Sequence, residues 1–300
     1  MAAILNTITI GSRGSALARW QTEWIQSRLQ AAWLELHCEL RLFQTSGDTI
    51  LDRPLPEIGG KGLFTEELEN ALRSGDIDIA VHSLKDLPID NAAGLTIGAI
   101  GAREDPRDVL ISRQYHTLAH LPRSARVGTS SLRRAAQLLA ARPDLQILSL
   151  RGNVDTRIRK AMQGEYDAIV LAAAGVLRLG FASHVAEYLS FDVMLPAPGQ
   201  GAVAVQCRTD DHHTIDLLHP IDHALTRWAV TAERAFLSGL GGGCSAPVAA
   251  FAQANQLIGL IASKDGKRII RVSGAGDDPT ALGSELAQQA LAQGAQELLA

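Results

Sequence analysis

The sequence is poor in cysteine and in lysine, and each shortage narrows what the chain can do. Its 300 residues contain three cysteines, Cys38, Cys207 and Cys244, and no two of them form a Cys-x-x-Cys pair. We therefore expect neither a disulfide framework nor a bound metal. Five of the 28 basic residues are lysines, so arginine carries most of the positive charge. Arginine can hold a carboxylate or phosphate with two parallel hydrogen bonds, which lysine cannot do.

Long apolar runs are also missing. None approaches the ~20 residues that a membrane helix needs, and the first ten residues have no basic segment ahead of an apolar stretch. We expect no membrane contact and a cytoplasmic protein, or an organellar one if a targeting segment has been removed. The net charge of −4 argues against nucleic-acid binding. The 46% of hydrophobic residues is typical of a packed globular protein.

The first hundred residues alternate between strand and helix patterns. Apolar residues predict strands over 7–10, 36–42 and 77–81. Between them we predict a helix with Ser15 as its N-cap and a second helix that ends at Gly75. Alternating strands and helices build a mostly parallel sheet with helices on both faces.

A second β/α series follows residue 105, and the two series predict two similar domains that face a cleft. The segment 195–201 is rich in proline and glycine and is a candidate hinge. From about residue 223 the pattern changes to that of a small α+β domain. The elements predicted after residue 105 are strands at 126–127, 147–150, 168–172, 248–252, 257–261 and 268–272, and helices at 132–139, 154–162, 227–237 and from 280 onward.

Three strand-to-helix junctions carry hydroxyl groups or arginines. They read GSRGS at 11–15, GTSSLRR at 128–134 and LRGNVDTR at 150–157. A helix N-terminus offers free N–H groups and a partial positive charge, and added donors make it an anion site. One such junction would be explained equally well by a capped helix with a surface arginine. Three of them at the carboxyl ends of strands favour a cleft that binds several anionic groups.

Two further segments have a chemical interpretation. Lys85 and Asp86 follow the strand at 77–81, where Asp86 could stabilise a cationic intermediate or move a proton. A solvated Lys–Asp ion pair is the alternative. Cys244 lies among glycines, which allow another molecule to approach closely, so it is a candidate nucleophile or attachment point. A structural role is the alternative, as for Cys38 and Cys207 in their apolar surroundings.

At these residues the chain closely resembles the hydroxymethylbilane synthase (porphobilinogen deaminase) family, over nearly its whole length. The matching motifs are short but occur together and in order. They are GGKGLF at 59–64, AVHSLKDLP at 80–88, REDPRD at 103–108, GTSSLRR at 128–134, LRGNV at 150–154, PGQG at 198–201 and GGCSAP at 242–247.

The resemblance implies an α/β fold with two domains like type II periplasmic binding proteins and a small C-terminal α+β domain. The implied boundaries are 1–101 with 202–219, then 105–197, then 223–300. It also implies a monomeric transferase of porphyrin, heme and chlorophyll biosynthesis (EC 2.5.1.61). Such enzymes condense four porphobilinogen molecules head to tail and release ammonia each time. They build the chain on one dipyrromethane cofactor, held covalently by the cysteine that corresponds to Cys244.

The resemblance also assigns the site residues. Asp86 is the implied catalytic residue. The implied cofactor-binding residues are Cys244, Ser83, Lys85, Asp86, Thr129, Ser130, Ser131, Arg133, Arg134, Arg151 and Gly152. The implied substrate-binding residues are Arg13, Ser15, Lys61, Arg151, Arg157, Arg178 and Gln200. Lys61 lies between glycines, in what would be a mobile lid.

Two other functions remain open at this point. A non-catalytic type II solute-binding protein would explain an anion-binding cleft, but it would explain neither Cys244 nor a third domain. An anion-sensing regulatory domain would be expected to carry a DNA-binding motif, and none is found in the sequence.

Overall fold

The computed structural model describes residues 7–45, 65–241 and 246–299. These residues divide into two compact units. Unit one contains 7–45, 65–103 and 202–227, and unit two contains 104–201, 228–241 and 246–299. No helix within the described ranges is long and apolar enough to span a membrane.

The described residues form thirteen strands and nine α-helices. In chain order the strands are β1 Thr7–Arg13, β2 His37–Phe43, β3 Ile79–Ser83, β4 Leu95–Ile100, β5 Asp108–Ile111, β6 Arg126–Gly128, β7 Gln146–Leu148, β8 Ala168–Ala172, β9 Val185–Tyr188, β10 Val203–Arg208, β11 Val248–Gln253, β12 Gln256–Ala262 and β13 Ile269–Ala275. The helices are α1 Ala16–Ala32, α2 Glu66–Ser74, α3 Leu132–Ala141, α4 Val154–Met162, α5 Ala173–Arg178, α6 His212–Leu218, α7 Ala224–Gly239, α8 Pro279–Ala292 and α9 Ala295–Leu299.

The sheet of unit one has the strand order β2-β1-β3-β10-β4. Strand β1 pairs in parallel with β2 and β3, whereas β10 is antiparallel to both β3 and β4. The prediction of a mostly parallel sheet is therefore wrong for two of the four strand pairs. Strand β10 comes from a distant part of the chain and lies between β3 and β4. The sequence patterns of the other four strands, which all run in one direction, do not indicate that an antiparallel strand separates two of them.

The second sheet, in unit two, repeats this layout in the order β7-β6-β8-β5-β9. Strand β6 is parallel to β7 and β8, and β5 is antiparallel to β8 and β9. Each sheet thus has one antiparallel strand in the fourth position. The expected fold class, two similar β/α domains followed by a small α+β domain, is confirmed.

Local capping explains where the helices begin and end. The Ser15 hydroxyl accepts a hydrogen bond from the Ala18 amide at 3.3 Å, as expected of an N-cap. Gly75 ends α2 with a φ of 77°, a conformation that glycine adopts without strain. Strand β2 forms as predicted, but Leu40 and Leu42 are 40% and 52% exposed. The alternating pattern of β2 therefore predicts its extended conformation correctly but does not tell whether its apolar side chains are buried.

The C-terminal part of unit two is a three-stranded antiparallel sheet, β11-β12-β13, packed against helices. Phe236 of α7 is fully buried, and its ring occupies the space that a side chain at Gly259 would need. The apolar residues Ala249, Leu260 and Ala262 of this sheet pack with Ala136 of α3. The small sheet is therefore joined to the helix that carries the GTSSLRR motif.

The turn between β12 and β13 contacts α3 directly. Gly266 has a φ of 72°, and a Cβ atom placed there would overlap the backbone of Ala136 and Ala140. Gly164 also has a positive φ, 82°, but open space surrounds its Cβ position. The two glycines therefore share a backbone conformation and differ in their surroundings.

We predict that Gly164→Ala lowers the free energy of unfolding by about 1–2 kcal/mol, the usual cost of a left-handed alanine. Gly266→Ala should cost at least about 1 kcal/mol more, because α3 must move away from the turn. Urea denaturation of both variants measures the difference. Equal losses would mean that the turn does not press on α3.

Candidate functional site

In unit one, the predicted site residues lie at one edge of the sheet. Arg13 is the last residue of β1, Ser15 caps α1, and Ser83 is the last residue of β3. Because β1 and β3 are parallel, with Ile10 opposite Ile79, their carboxyl ends meet at the same edge. The structure thus places Arg13, Ser15 and the turn after Ser83 together, as the sequence predicts.

Lys85 and Asp86 lie on a single 3₁₀ turn, Leu84–Asp86, directly after β3. The Leu84 amide donates to the Ala202 carbonyl at 3.0 Å, which fixes the start of the turn. Asp86 is exposed, and its carboxylate makes no ion pair or hydrogen bond with another described residue. The alternative of a simple Lys85–Asp86 ion pair is therefore not seen in this structure.

The side chains beneath this turn are polar and mostly buried. Gln21 of α1 donates from its amide to the Ser83 hydroxyl at 2.9 Å. His82 of β3 is 5% exposed, and burial, together with the nearby charge of Arg13, lowers its pKa to about 4. His82 is therefore neutral near pH 7, and it adds no positive charge to the edge where Arg13 lies.

In unit two, the three hydroxyl residues of the GTSSLRR motif bond to the backbone. Ser131 caps α3, and the Thr129 hydroxyl accepts from the Ser131 amide at 3.2 Å. The Ser130 hydroxyl donates to the Leu150 carbonyl at 2.9 Å and accepts from the Leu150 amide at 3.0 Å. The Ser130 hydroxyl thus holds two strand-to-helix junctions side by side, a role that the sequence did not reveal.

Arg133 and Arg134 are buried, with exposures of 5% and 6%. Both bind Asp108 at the start of β5. Arg133 Nη1 is 2.7 Å from Asp108 Oδ2, and Arg134 donates from Nε and Nη2 to Oδ1 at 3.0 and 2.7 Å. Contact of these arginines with a ligand stays a prediction. Within the protein, both guanidinium groups already have acceptors.

Asp108 is the residue of this cluster that sequence reasoning missed. It is fully buried, and although burial alone would raise its pKa, the charges and hydrogen bonds of Arg133 and Arg134 hold the pKa well below its usual range. Burial lowers the pKa of Arg133, which remains a cation at neutral pH. A signal was available, since an aspartate that opens the apolar run Asp108–Ile111 must find a buried partner.

The third junction places its arginines near backbone carbonyl groups. Arg157 donates from Nε to the Gly152 carbonyl at 2.6 Å, and Gly152 has a φ of 112° that favours glycine. Arg151 is half-buried just before it.

Arg178 lies outside the three junctions, at the end of α5. It donates to the Gly201 carbonyl at 2.8 Å, and burial lowers its pKa to about 10, so it stays charged.

The candidate hinge at 195–201 is held by buried side chains of unit two. Gln200 is fully buried and donates from Nε2 to the Pro106 carbonyl at 2.8 Å and to Asp108 Oδ1 at 3.0 Å. The Gly199 amide donates to the Glu233 carboxylate at 2.7 Å. Substrate binding by Gln200 stays a prediction, and the structure gives its side chain protein partners.

Two predicted residues, Lys61 and Cys244, lie outside the described residues, as does the glycine-rich segment around Lys61. The other two cysteines have the apolar surroundings expected of them. Cys207 is fully buried, and burial raises the pKa of its thiol to about 11. Burial also raises the pKa of Cys38, which packs against the same core. Neither is a thiolate at neutral pH, so neither suits a nucleophilic role.

The buried His82 makes a prediction for the pH dependence of stability. The unfolded chain takes up a proton near pH 6.5, whereas the folded chain does so near pH 4. Stability should therefore fall as the pH drops from 6.5 to 4, by about 3 kcal/mol from this group. His82→Gln should remove that part of the slope in denaturation measured across this range. The control His116→Gln, at an exposed residue, should keep the slope of the parent protein.

Comparison with known proteins gives a consistent match. Residues 8–216 match the family model "Porphobilinogen deaminase, dipyromethane cofactor binding domain", and residues 228–292 match "Porphobilinogen deaminase, C-terminal domain". The porphobilinogen deaminase of Brevibacillus brevis is 50% identical over 296 residues, covering 97% of this chain and 96% of that protein. The porphobilinogen deaminase of Roseiflexus castenholzii is 51% identical over 300 residues, covering 98% and 99%.

Among solved structures, a periplasmic substrate-binding protein of an ABC transporter from Coxiella burnetii is 14% identical, with a TM-score of 0.46, and the match covers 71% of this chain and 91% of that one. The two family models together span almost all of the sequence, and the sequence identities extend over the same length. The chain belongs to the porphobilinogen deaminase family.

Proposed function

We propose that this chain is a hydroxymethylbilane synthase, a transferase that condenses four porphobilinogen molecules head to tail and releases one ammonia for each. The product is the linear tetrapyrrole hydroxymethylbilane, built on a dipyrromethane primer attached to Cys244. The observation that carries the proposal, besides the family, is the exposed carboxylate of Asp86 at the sheet edge where Arg13 and Ser15 also lie.

The polar groups of unit two fit a ligand with several carboxylates. Asp108, Arg133 and Arg134 together carry one net positive charge in a buried place. Among the described residues, every hydrogen bond of the Arg133 side chain uses Nη1, so its Nε and Nη2 edge is available. A carboxylate at that edge would neutralise the cluster, and a dipyrromethane carries four carboxylates.

The residues that would hold the primer and the growing chain are therefore those with positive charge near the strand ends. In unit one the proposed residues are Arg13 and Lys85, with Ser83. In unit two they are Arg133, Arg134, Arg151, Arg157 and Arg178, with Thr129, Ser130, Ser131 and Gly152. The bound primer supplies the nucleophilic pyrrole carbon that is extended. Each added ring brings two further carboxylates, which explains an arginine-rich site in a protein of net charge −4.

Asp86 would act on the substrate. Loss of ammonia from porphobilinogen leaves an electron-poor carbon conjugated with the pyrrole nitrogen, and the N–H carries part of the positive charge. A carboxylate within hydrogen-bond distance stabilises this charge more in the transition state than in the neutral ground state. The same carboxylate can accept the proton that the attacking pyrrole carbon of the growing chain loses when its ring regains aromaticity after coupling.

The alternative of a non-catalytic anion-binding protein is not favoured by the family. We further propose that the enzyme acts as a cytoplasmic monomer and binds no nucleic acid. Size-exclusion chromatography with light scattering would test the monomer, since a dimer gives twice the mass of the chain.

Replacement of Asp86 by Asn keeps the size of the side chain and removes its charge. We predict that Asp86→Asn lowers kcat by at least ~10²-fold, the scale for loss of one charge-stabilising group. Substrate affinity should change little, because the arginines still hold the carboxylates. Single-turnover consumption of porphobilinogen by primer-loaded enzyme measures the effect.

The matched control is Asp90→Asn, an exposed aspartate four residues further along the chain. It should stay within about two-fold of the parent rate, because removal of an exposed charge is usually a small perturbation. An Asp86→Asn rate within three-fold of the parent would show that the catalytic anion lies elsewhere.

The attachment of the primer is tested by intact mass. The parent chain should be heavier than its sequence by one dipyrromethane, and Cys244→Ser should have the mass of the bare chain. A serine hydroxyl is a much weaker nucleophile than a thiolate, so it should not form the bond. Cys38→Ala, at a half-buried thiol, should keep the adduct. A fully active Cys244→Ser protein would refute the attachment site.

A further inference from the structure

Asp108 lies at the centre of a buried hydrogen-bond network that the proposed mechanism does not yet use. Its two carboxylate oxygens accept from three side chains, those of Arg133, Arg134 and Gln200. The residue has no solvent exposure. A buried carboxylate with this many charge-assisted donors is fixed in position, and it fixes the groups that donate to it.

The network holds Arg133 in one orientation. Arg133 Nη1 donates to Asp108 Oδ2 at 2.7 Å and to the Leu195 carbonyl at 2.7 Å. Leu195 is itself held by Gln137, which donates to its carbonyl at 3.0 Å and accepts from its amide at 2.8 Å. Two fixed acceptors on one nitrogen set the plane of the guanidinium group, because that group is rigid and planar.

The opposite edge of the same guanidinium group is formed by Nε and Nη2. In the part of the chain that the structure describes, neither atom takes part in a hydrogen bond. Two parallel N–H groups on one edge are the arrangement that binds a carboxylate bidentately. Arg134 differs, since it donates from Nε and Nη2 to Asp108 and from Nη1 to the Val170 carbonyl at 3.1 Å. Each of its three guanidinium nitrogens donates to a protein acceptor.

We infer that Asp108 is a positioning residue: it orients Arg133 so that the Nε and Nη2 edge binds one carboxylate of the primer, while Arg134 mainly secures Asp108. This inference rests on the proposed function, because it names a carboxylate of the same primer. The charges agree with it, since one bound carboxylate balances the single positive charge left by one aspartate and two arginines.

The test compares three variants by intact mass, which gives the fraction of chains that carry the primer adduct. Asp108→Asn removes the charge, and Asp108→Glu keeps the charge but displaces it by one methylene group. The matched control is Asp105→Asn, which removes the charge of a carboxylate that is hydrogen-bonded to the partly exposed side chain of Arg107. Circular dichroism and the melting temperature report folding separately from the adduct.

We expect Asp105→Asn to carry the adduct as the parent does. Asp108→Asn should carry it on a clearly smaller fraction of chains, since loss of a charge-assisted bidentate contact weakens primer binding by about ten-fold or more. Asp108→Glu should be folded and carry an intermediate fraction.

Asp108→Asn leaves two buried guanidinium groups with no anion and can fail to fold. Asp108→Glu then decides the question, because it retains an ion pair. A folded Asp108→Glu protein with the adduct fraction of the parent would overturn the inference, since the position of the carboxylate would not matter. A parent protein with no adduct would instead refute the proposed function and, with it, this inference.

Discussion

The structure of unit two depends on one buried charge and the groups that satisfy it. Asp108 has no exposure to solvent, and an isolated carboxylate in such a place would be very unfavourable. Two arginines and one glutamine donate to it, and they come from α3 and from the segment that precedes β10. Removal of one partner would leave an uncompensated charge, so these distant parts of the chain are energetically linked.

At the start of α3, the hydrogen bonds that stabilise the fold also fix the positions of the candidate site residues. Ser131 caps the helix, and Ser130 bonds both backbone groups of Leu150, so the second and third junctions keep a fixed distance. Gly266 of the C-terminal sheet contacts the other end of the same helix. Groups that a ligand requires at fixed positions are thus fixed by bonds that also stabilise the domain, which is how a binding site is preorganised.

The sequence predicted the elements well where local signals were strong. Helix α4 and strand β8 have the predicted bounds, and the three strands of the C-terminal sheet are present. Ser15 caps the start of α1 and Gly75 ends α2, as expected. The antiparallel entry of β10 and β5 was not predicted, because direction depends on contacts between residues far apart in the chain, such as Val203 with Ser83 and Asp108 with Ala172. Strand β2 shows the same limit, since Leu40 alternates like a core residue and is 40% exposed.

The site was predicted in part for a related reason. The three junctions carry their signal within a few residues each, and a resemblance over the whole chain added Arg178, which no local pattern marks. Asp108 was missed because its partners are 25 or more residues away, so its role exists only in the folded chain. Gln200 was assigned to substrate from its motif, whereas its amide bonds Asp108 and the backbone of Pro106. Position in a motif does not tell which way a side chain points.

Two aspartates with opposite surroundings explain how one chain can both hold anions and stabilise a cation. Asp108 is buried and paired with two arginines, which hold its pKa well below the usual range, and in our proposal its negative charge orients Arg133. Asp86 stands exposed on a fixed turn and binds no other described residue, so its negative charge remains available. Arginines alone would attract carboxylates and repel a developing cation. In the proposed mechanism, the carboxylate of Asp86 at the sheet edge supplies the negative charge that a developing cation needs, and environment rather than residue type separates the roles of the two aspartates.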